Sequence, residues 1–127
     1  MKSIKRILLL IVAFLSMEAA YPADHTISLV QNEGSWIYLY DQNGRKYKSL
    51  SKSSVGVVNG FSSSFFVATN GNWIYLYDAE GRKYKTMSKS SVGEIIGVAG
   101  DTFTSRLGNW IYTWDREGRK INTRYAN

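Results

Sequence analysis

Hydrophobic and polar residues along this chain repeat before they alternate. Trp36, Tyr38 and Tyr40 share one face of an extended segment, and Ile37 and Leu39 share the other, because side chains alternate across a strand. A strand half in water alternates apolar with polar, whereas this one is apolar on both faces. The ribbon returns at Trp73–Asp78 and Trp110–Asp115, each Trp 37 residues after the last. Gly34, Gly71 and Gly108 keep that spacing, as do Asp41, Asp78 and Asp115, and Gly44, Gly81 and Gly118. Between Gly34–Ser53 and Gly71–Ser90, 15 of 20 positions are identical. Repetition at such a period marks stacked supersecondary units.

Within the second copy four runs read as strands: Val55–Phe61, Ser64–Asn70, Asn72–Asp78 and Arg82–Ser88. β-branched and aromatic residues fill them, and Gly, Asn and Ser punctuate them. Asp-Ala-Glu-Gly joins the last two, and Asp-Gln-Asn-Gly and Asp-Arg-Glu-Gly repeat the device. Asp opening the turn and Gly at a positive-φ position predict a hairpin on a type I turn with a bulge. No helical periodicity follows the first two dozen residues. The expected class is all-β: three 37-residue repeats of about four antiparallel strands. The first copy is incomplete, because its counterpart of Val55–Phe61 falls at residues 18–25. Eleven strands are therefore expected, with one unpaired edge that must be covered, charged or paired with another chain.

Apolar residues on both faces of the Trp-bearing ribbon predict a sheet covered on both sides. A single closed barrel would leave one face to solvent; small sheets stacked around an axis, as in a β-propeller, bury both. The run WIYLYDAEGRK resembles the strand-turn-strand of quinoprotein-type propeller blades, in which an aromatic-rich strand ends in Asp-x-x-Gly-Lys. It is also similar to WG-type bacterial β-repeats, with Gly-x-Trp followed by Asp-x-x-Gly. The resemblance covers Gly34–Arg45, Gly71–Lys83 and Gly108–Lys120. Ile37, Ile74 and Ile111 stand where the WG type has Gly, and no quinone-site residue is carried over. What the resemblance implies is propeller-like architecture, without an activity. About three blades are too few to close a ring alone, so a homo-oligomer, two chains forming one six-bladed ring, is expected.

The start of the chain reads differently. Lys2, Lys5 and Arg6 precede an apolar run from Ile7 to Leu15 and then small residues, the layout of a secretory signal peptide. The run is too short for a bilayer core of about 30 Å, so the protein is not expected to be integral to a membrane. Residues 1–23 are read as that signal peptide and 24–127 as one β-repeat domain, exported to the periplasm or outside the cell. The domain carries 13 Lys and Arg against 9 Asp and Glu, a net +4, which favours an acidic partner without demanding one. The chain has no cysteine, so no disulfide staples so small a core.

Candidate chemistry is sparse. The lone histidine, His25, near an expected flexible N-terminus, makes neither a nucleophile's base nor a metal cluster. Asp41, Asp78 and Asp115 are explained as turn caps. No enzyme and no cofactor is expected. Two sets remain. The aromatic set is Trp36, Trp73 and Trp110, then Tyr38, Tyr75 and Tyr112, then Tyr40, Tyr77 and Trp114. Its Trp rings are read as inter-blade core, and its Tyr rings suit either core or sugar-stacking platforms. The basic set is Arg45–Lys48, Arg82–Lys85 and Gly118–Ile121, with Lys52, Lys89 and Arg124 further along; on outer strands such charge deters edge pairing and could also meet acidic groups, through Lys46, Lys48, Lys83, Lys85 and Lys120. Tyr38, Tyr75 and Tyr112 with these five lysines are the candidate ligand residues. The function expected is a binding module for a glycan or acidic envelope polymer; export argues against nucleic acid. The alternative is a protein-interaction or structural envelope component, such as an inhibitor or immunity partner.

Overall fold

The computed structural model describes residues 25–126, and the leader and the first copy's missing strand lie outside them. Three antiparallel sheets hold eleven strands among the described residues. Sheet 1 is β1 (Leu29–Glu33), β2 (Trp36–Tyr40) and β3 (Lys46–Ser51). Sheet 2 is β4 (Val57–Phe61), β5 (Phe65–Asn70), β6 (Trp73–Asp78) and β7 (Lys83–Ser88). Sheet 3 repeats it as β8 (Glu94–Ala99), β9 (Thr102–Leu107), β10 (Trp110–Asp115) and β11 (Lys120–Tyr125). Strands run in chain order across each sheet, and the sheets do not close into a barrel. The first strands of sheets 2 and 3, β4 and β8, lie side by side. This architecture is all-β and compatible with propeller-like blades.

The hairpins form as their residues dictate. Asp41 Oδ1 accepts the amides of Asn43 and Arg45 at 2.9 and 3.0 Å, and the Gly44 amide donates to the Asp41 carbonyl. Gly44 sits at φ +76, where a side chain would be strained. The Arg45 amide leads the hydrogen bonds that hold the Asp41 carboxyl below its ordinary value. Asp78 and Asp115 cap the equivalent turns.

One local expectation fails. Two single-turn helices, α1 (Lys52–Val55) and α2 (Lys89–Val92), connect the sheets. Val55, expected at the head of a strand, is instead the buried end of α1, and Val92 is its equivalent in α2. Four residues are too few to leave a helical period in a sequence. Gly56 and Gly93 then turn the chain at φ +91 and +93. A Cβ there would lie 2.3 Å from the Thr69 carbonyl oxygen or 2.2 Å from that of Arg106, so the next strand crosses its neighbour where only glycine fits.

Two apolar clusters join the sheets. Ile37 and Leu39 of sheet 1 pack with Phe66, Ala68 and Tyr77 of sheet 2. The opposite face of sheet 2 (Phe65, Val67, Ile74 and Leu76) packs on Phe103 and Trp114 of sheet 3. Each sheet thus presents its Ile/Leu face to the aromatic face of the next. Beside these clusters, the Tyr47 hydroxyl donates to the Ala79 carbonyl and that of Tyr84 to the Arg116 carbonyl, both at 2.6 Å. Burial, with Glu80 nearby, pushes the Tyr47 hydroxyl up to about 12. The Lys48 stem runs over Gly81 and the Lys85 stem over Gly118. In sheet 3 the buried Trp114 indole donates to Ser105 Oγ at 2.8 Å, which donates to the Val92 carbonyl; Ser105 stands where sheet 2 has Ala68.

Covering on both sides therefore holds only for the middle ribbon, β6. A stack of three sheets has two ends, and β2 and β10 each turn one face away from the other described sheets. The expectation that all three ribbons are sandwiched is corrected accordingly.

His25 is also not loose. Its amide and Nδ1 meet Glu80 Oε2 and Oε1 at 2.7 Å each, and its ring stacks on Tyr47 at 4.0 Å. Desolvation works to raise the Glu80 carboxyl, but the amide and imidazole of His25 bring it below its ordinary value.

Candidate functional site

The two end faces carry the positions that packing leaves free to act. On sheet 3 the outward positions of β9, β10 and β11 have turned polar. Thr102, Thr104 and Thr113 stand where sheet 2 has Phe65, Val67 and Leu76, and Arg124 stands where it has Met87. Ile121 replaces the locking Tyr47 and Tyr84, and Asn122 replaces Lys48 and Lys85. Ile111 alone keeps its buried character there.

Sheet 1 ends the stack in another way. On its outward face the register sets Leu29 opposite Tyr40, Gln31 opposite Tyr38, and Glu33 opposite Trp36. On the other side Lys46 lies opposite Tyr40, Ser49 opposite Tyr38, and Ser51 opposite Trp36. Trp36, Tyr38 and Tyr40 thus form a row with neighbouring rings two residues, about 7 Å, apart along the strand. Gln31, Glu33, Ser49 and Ser51 supply hydrogen-bonding groups on both flanks. Lys46 Nζ lies 3.7 Å from the centre of the Tyr38 ring. Such an arrangement offers flat apolar surfaces ringed by donors and acceptors, with one cation at the end of the row.

The candidate lysines pair with the candidate tyrosines in every copy. Lys83 sits over Tyr75 and Lys120 over Tyr112, both at 3.8 Å. Tyr38, Tyr75 and Tyr112 are all half-buried; Tyr75 and Tyr112 pack against the clusters between sheets, and Tyr38 lies on the end face. Lys48 and Lys85 project from the outer strands with their stems across the next sheet's hairpin. Of the eight candidates, the structure gathers Tyr38 and Lys46 into the open row and disperses the others along the stack.

Trp36, Trp73 and Trp110 correct the expectation of a Trp core: they are 48, 49 and 45 % exposed. Each heads its strand beside a Gly-Ser or Gly-Asn turn, beyond the reach of the neighbouring sheet. Trp110 packs edge-on against Tyr125, and Trp73 lies across from Asn70, whose amide Nδ2 donates to the Ser53 and Ser54 carbonyls of α1. Sequence reasoning missed Gln31, Glu33 and Ser49 as site residues. Their signal was available: Gln31 stands where the inner copies have Ala68 and Ser105, and Leu29 where they have Phe66 and Phe103.

Among the described residues no group of three or more His, Asp or Glu is placed to hold a metal ion, and no helix is long and apolar enough to cross a membrane. In comparison with known proteins, no family model matches the chain, and no curated protein matches it.

Proposed function

We propose that the protein is a binding module that holds an acidic or glycan chain across the outward face of sheet 1, exported to the periplasm or beyond the cell. One observation carries this reading. At the other end of the stack the chain has replaced its apolar outward residues with Thr113, Thr104 and Arg124, yet on sheet 1 it keeps Trp36, Tyr38 and Tyr40 in a row. Exposed aromatic surface forgoes roughly 25 cal/mol per Å² of burial, and a rimmed apolar patch of this kind characterises a recognition surface.

The chemistry suits sugars. A pyranose ring has a face of C–H bonds that lies on an aromatic ring, and a rim of hydroxyls that Gln31, Glu33 and Ser49 can meet. Lys46 adds a charge for a uronate, phosphate or sulfate group. Its contact with Tyr38 is worth about 0.5–1 kcal/mol at an exposed site, so a bound anion can share it.

The six-bladed ring of two chains would set sheet 3 of one copy on this face. Such a junction would lack the tyrosine lock and the Leu packing of the inner junctions, since Ile121 and Thr113 replace them. The aromatic row is therefore assigned to a ligand. The propeller likeness contributes the architecture only.

Screening the cleaved protein on an array of neutral and acidic glycans tests the proposal. The expected result is a salt-sensitive set of acidic hits, lost in Trp36→Ala and Tyr38→Ala and kept in Trp110→Ala. An empty array, or hits indifferent to Trp36 and Tyr38, overturns it.

A further inference from the structure

Sheet 1 also has an edge unlike those of its neighbours. In sheets 2 and 3 the strand corresponding to β1 is flanked on both sides: β5 pairs with β4 and β6, and β9 with β8 and β10. β1 pairs with β2 alone among the described residues. Its other edge faces β4 across a groove of about 280 Å³, lined by Val30, Asn32, Ile37, Lys52, Val58 and Phe61 among others. At the next junction the corresponding place, paired with β5 and lying beside β8, is filled by β4 itself. That packing is close: a Cβ on Gly60 would lie 2.9 Å from Val98 Cγ2.

The chain's own direction bears on what fills the groove. Extending the repeat backwards puts the counterpart of β4 at residues 20–24, immediately before His25. His25, however, is held by Glu80 and Tyr47, at the hairpin of sheet 2 and on the outer strand of sheet 1. The chain therefore enters β1 from the outer rim, two strand spacings or about 10 Å from the inner edge. Within the described residues, the strands with the right pattern, β4 and β8, are both committed to their own sheets.

We infer that the inner edge of β1 is a strand-addition site for an extended segment of another protein, which enters antiparallel and fills the groove beside β4. Main-chain hydrogen bonds supply the affinity in this mode, and alternate side chains supply the selection. The segment's chemistry follows from the two strands that occupy equivalent places, VVNGF and EIIGVA. Each has a β-branched residue, Val58 or Ile95, packed against a core cluster, and each has a glycine two residues later. The glycine requirement is sharper at β1. Phe61 stands where Val98 stands at the next junction, so a larger side chain faces the incoming strand. Among the described residues Lys52 is the only charged one lining the groove, so the segment carries no Lys or Arg toward it. This site is independent of the aromatic row on the outward face.

The test uses the full chain and a synthetic peptide of its own sequence, Val92–Gly100 (VGEIIGVAG), as a probe of the edge. Hydrogen exchange at the Leu29–Glu33 amides is followed with and without peptide. The site predicts fast exchange at the β1 amides that point away from β2 in the free protein, and slowing of at least tenfold with saturating peptide. Replacing the peptide's glycine at position 97 with Val is predicted to weaken binding at least tenfold, because that residue meets Phe61. Three results overturn the inference: edge amides already protected in the free chain, which assigns the groove to the chain's own N-terminal residues; no slowing at millimolar peptide; or binding unaffected by the Gly97→Val change.

Discussion

The two ends of the stack began from nearly the same repeat and finish differently. On the third sheet the outward side chains have become Thr and Arg where the middle sheet presents Phe65, Val67, Leu76 and Met87 to a neighbour. On the first sheet, β1 has become partly polar through Gln31 and Glu33, while β2 keeps all three rings. The contrast shows that the chain can end an aromatic, apolar stack with polar residues. An unbroken row of Trp36, Tyr38 and Tyr40 on an outward face is thus a property of that end, not of ends in general.

The largest effect that sharpens this comparison is the exchange of one residue between the inner and outer positions. Leu76→Thr gives the buried face what the third sheet carries at Thr113. It is expected to destabilise the protein by about 3 kcal/mol, through lost burial and an unpartnered hydroxyl. Thr113→Leu, its mirror, is expected to shift stability by no more than about 0.5 kcal/mol. Urea denaturation of the two variants reads the difference; equal effects would break the distinction between covered and uncovered faces.

The tyrosine locks give a smaller effect of the same kind. Tyr84→Phe deletes the hydroxyl bonded to the Arg116 carbonyl and is expected to cost about 1 kcal/mol in thermal or chemical unfolding. Tyr38→Phe, on the open face, should leave unfolding unchanged within error. Trp36→Ala should likewise leave the fold standing, with less than about 1 kcal/mol lost, while glycan binding disappears.

Acid distinguishes the two inner junctions. Only the first has the His25–Glu80 pair; the equivalents at the second are Ser62 and Glu117. Since the folded Glu80 carboxyl lies below its ordinary value of 4.5, its contribution is complete above that pH and fades as the pH falls through the lowered value. The stability gap between the native protein and Glu80→Gln should therefore be constant near neutrality and narrow below about pH 4.5. A gap that widens in acid would contradict the assigned sign.

Much of the fold was legible because the repeat is written in residues with fixed mechanical roles. Asp41, Gly44 and their equivalents fixed the hairpins, and the β-branched runs marked the strands and their number. The one-turn helices were hidden by their length. The exposure of Trp73 was hidden for another reason: a two-faced apolar strand announces a covered sheet, but not how far along the strand the cover reaches. Nor could Gly34–Ser53 and Gly71–Ser90, so nearly identical, show by themselves that Tyr38 stands at an end and Tyr75 at a junction. Both rings are half-buried, and place in the stack decides only which of them faces another sheet. The clue lay in the differences between copies, Thr113 for Leu76 and Gln31 for Ala68, which a reading centred on likeness passes over.

Indole resonances report on this account most directly, since Trp36 and Trp110 occupy equivalent positions in the first and last sheets. Titrating the isotope-labelled protein with an acidic glycan selected on the array, and following the Nε1–H signals, should move Trp36 and leave Trp110 in place. Movement of Trp110 with Trp36 unmoved, or equal movement of both, would contradict the assignment of the aromatic end as the binding face.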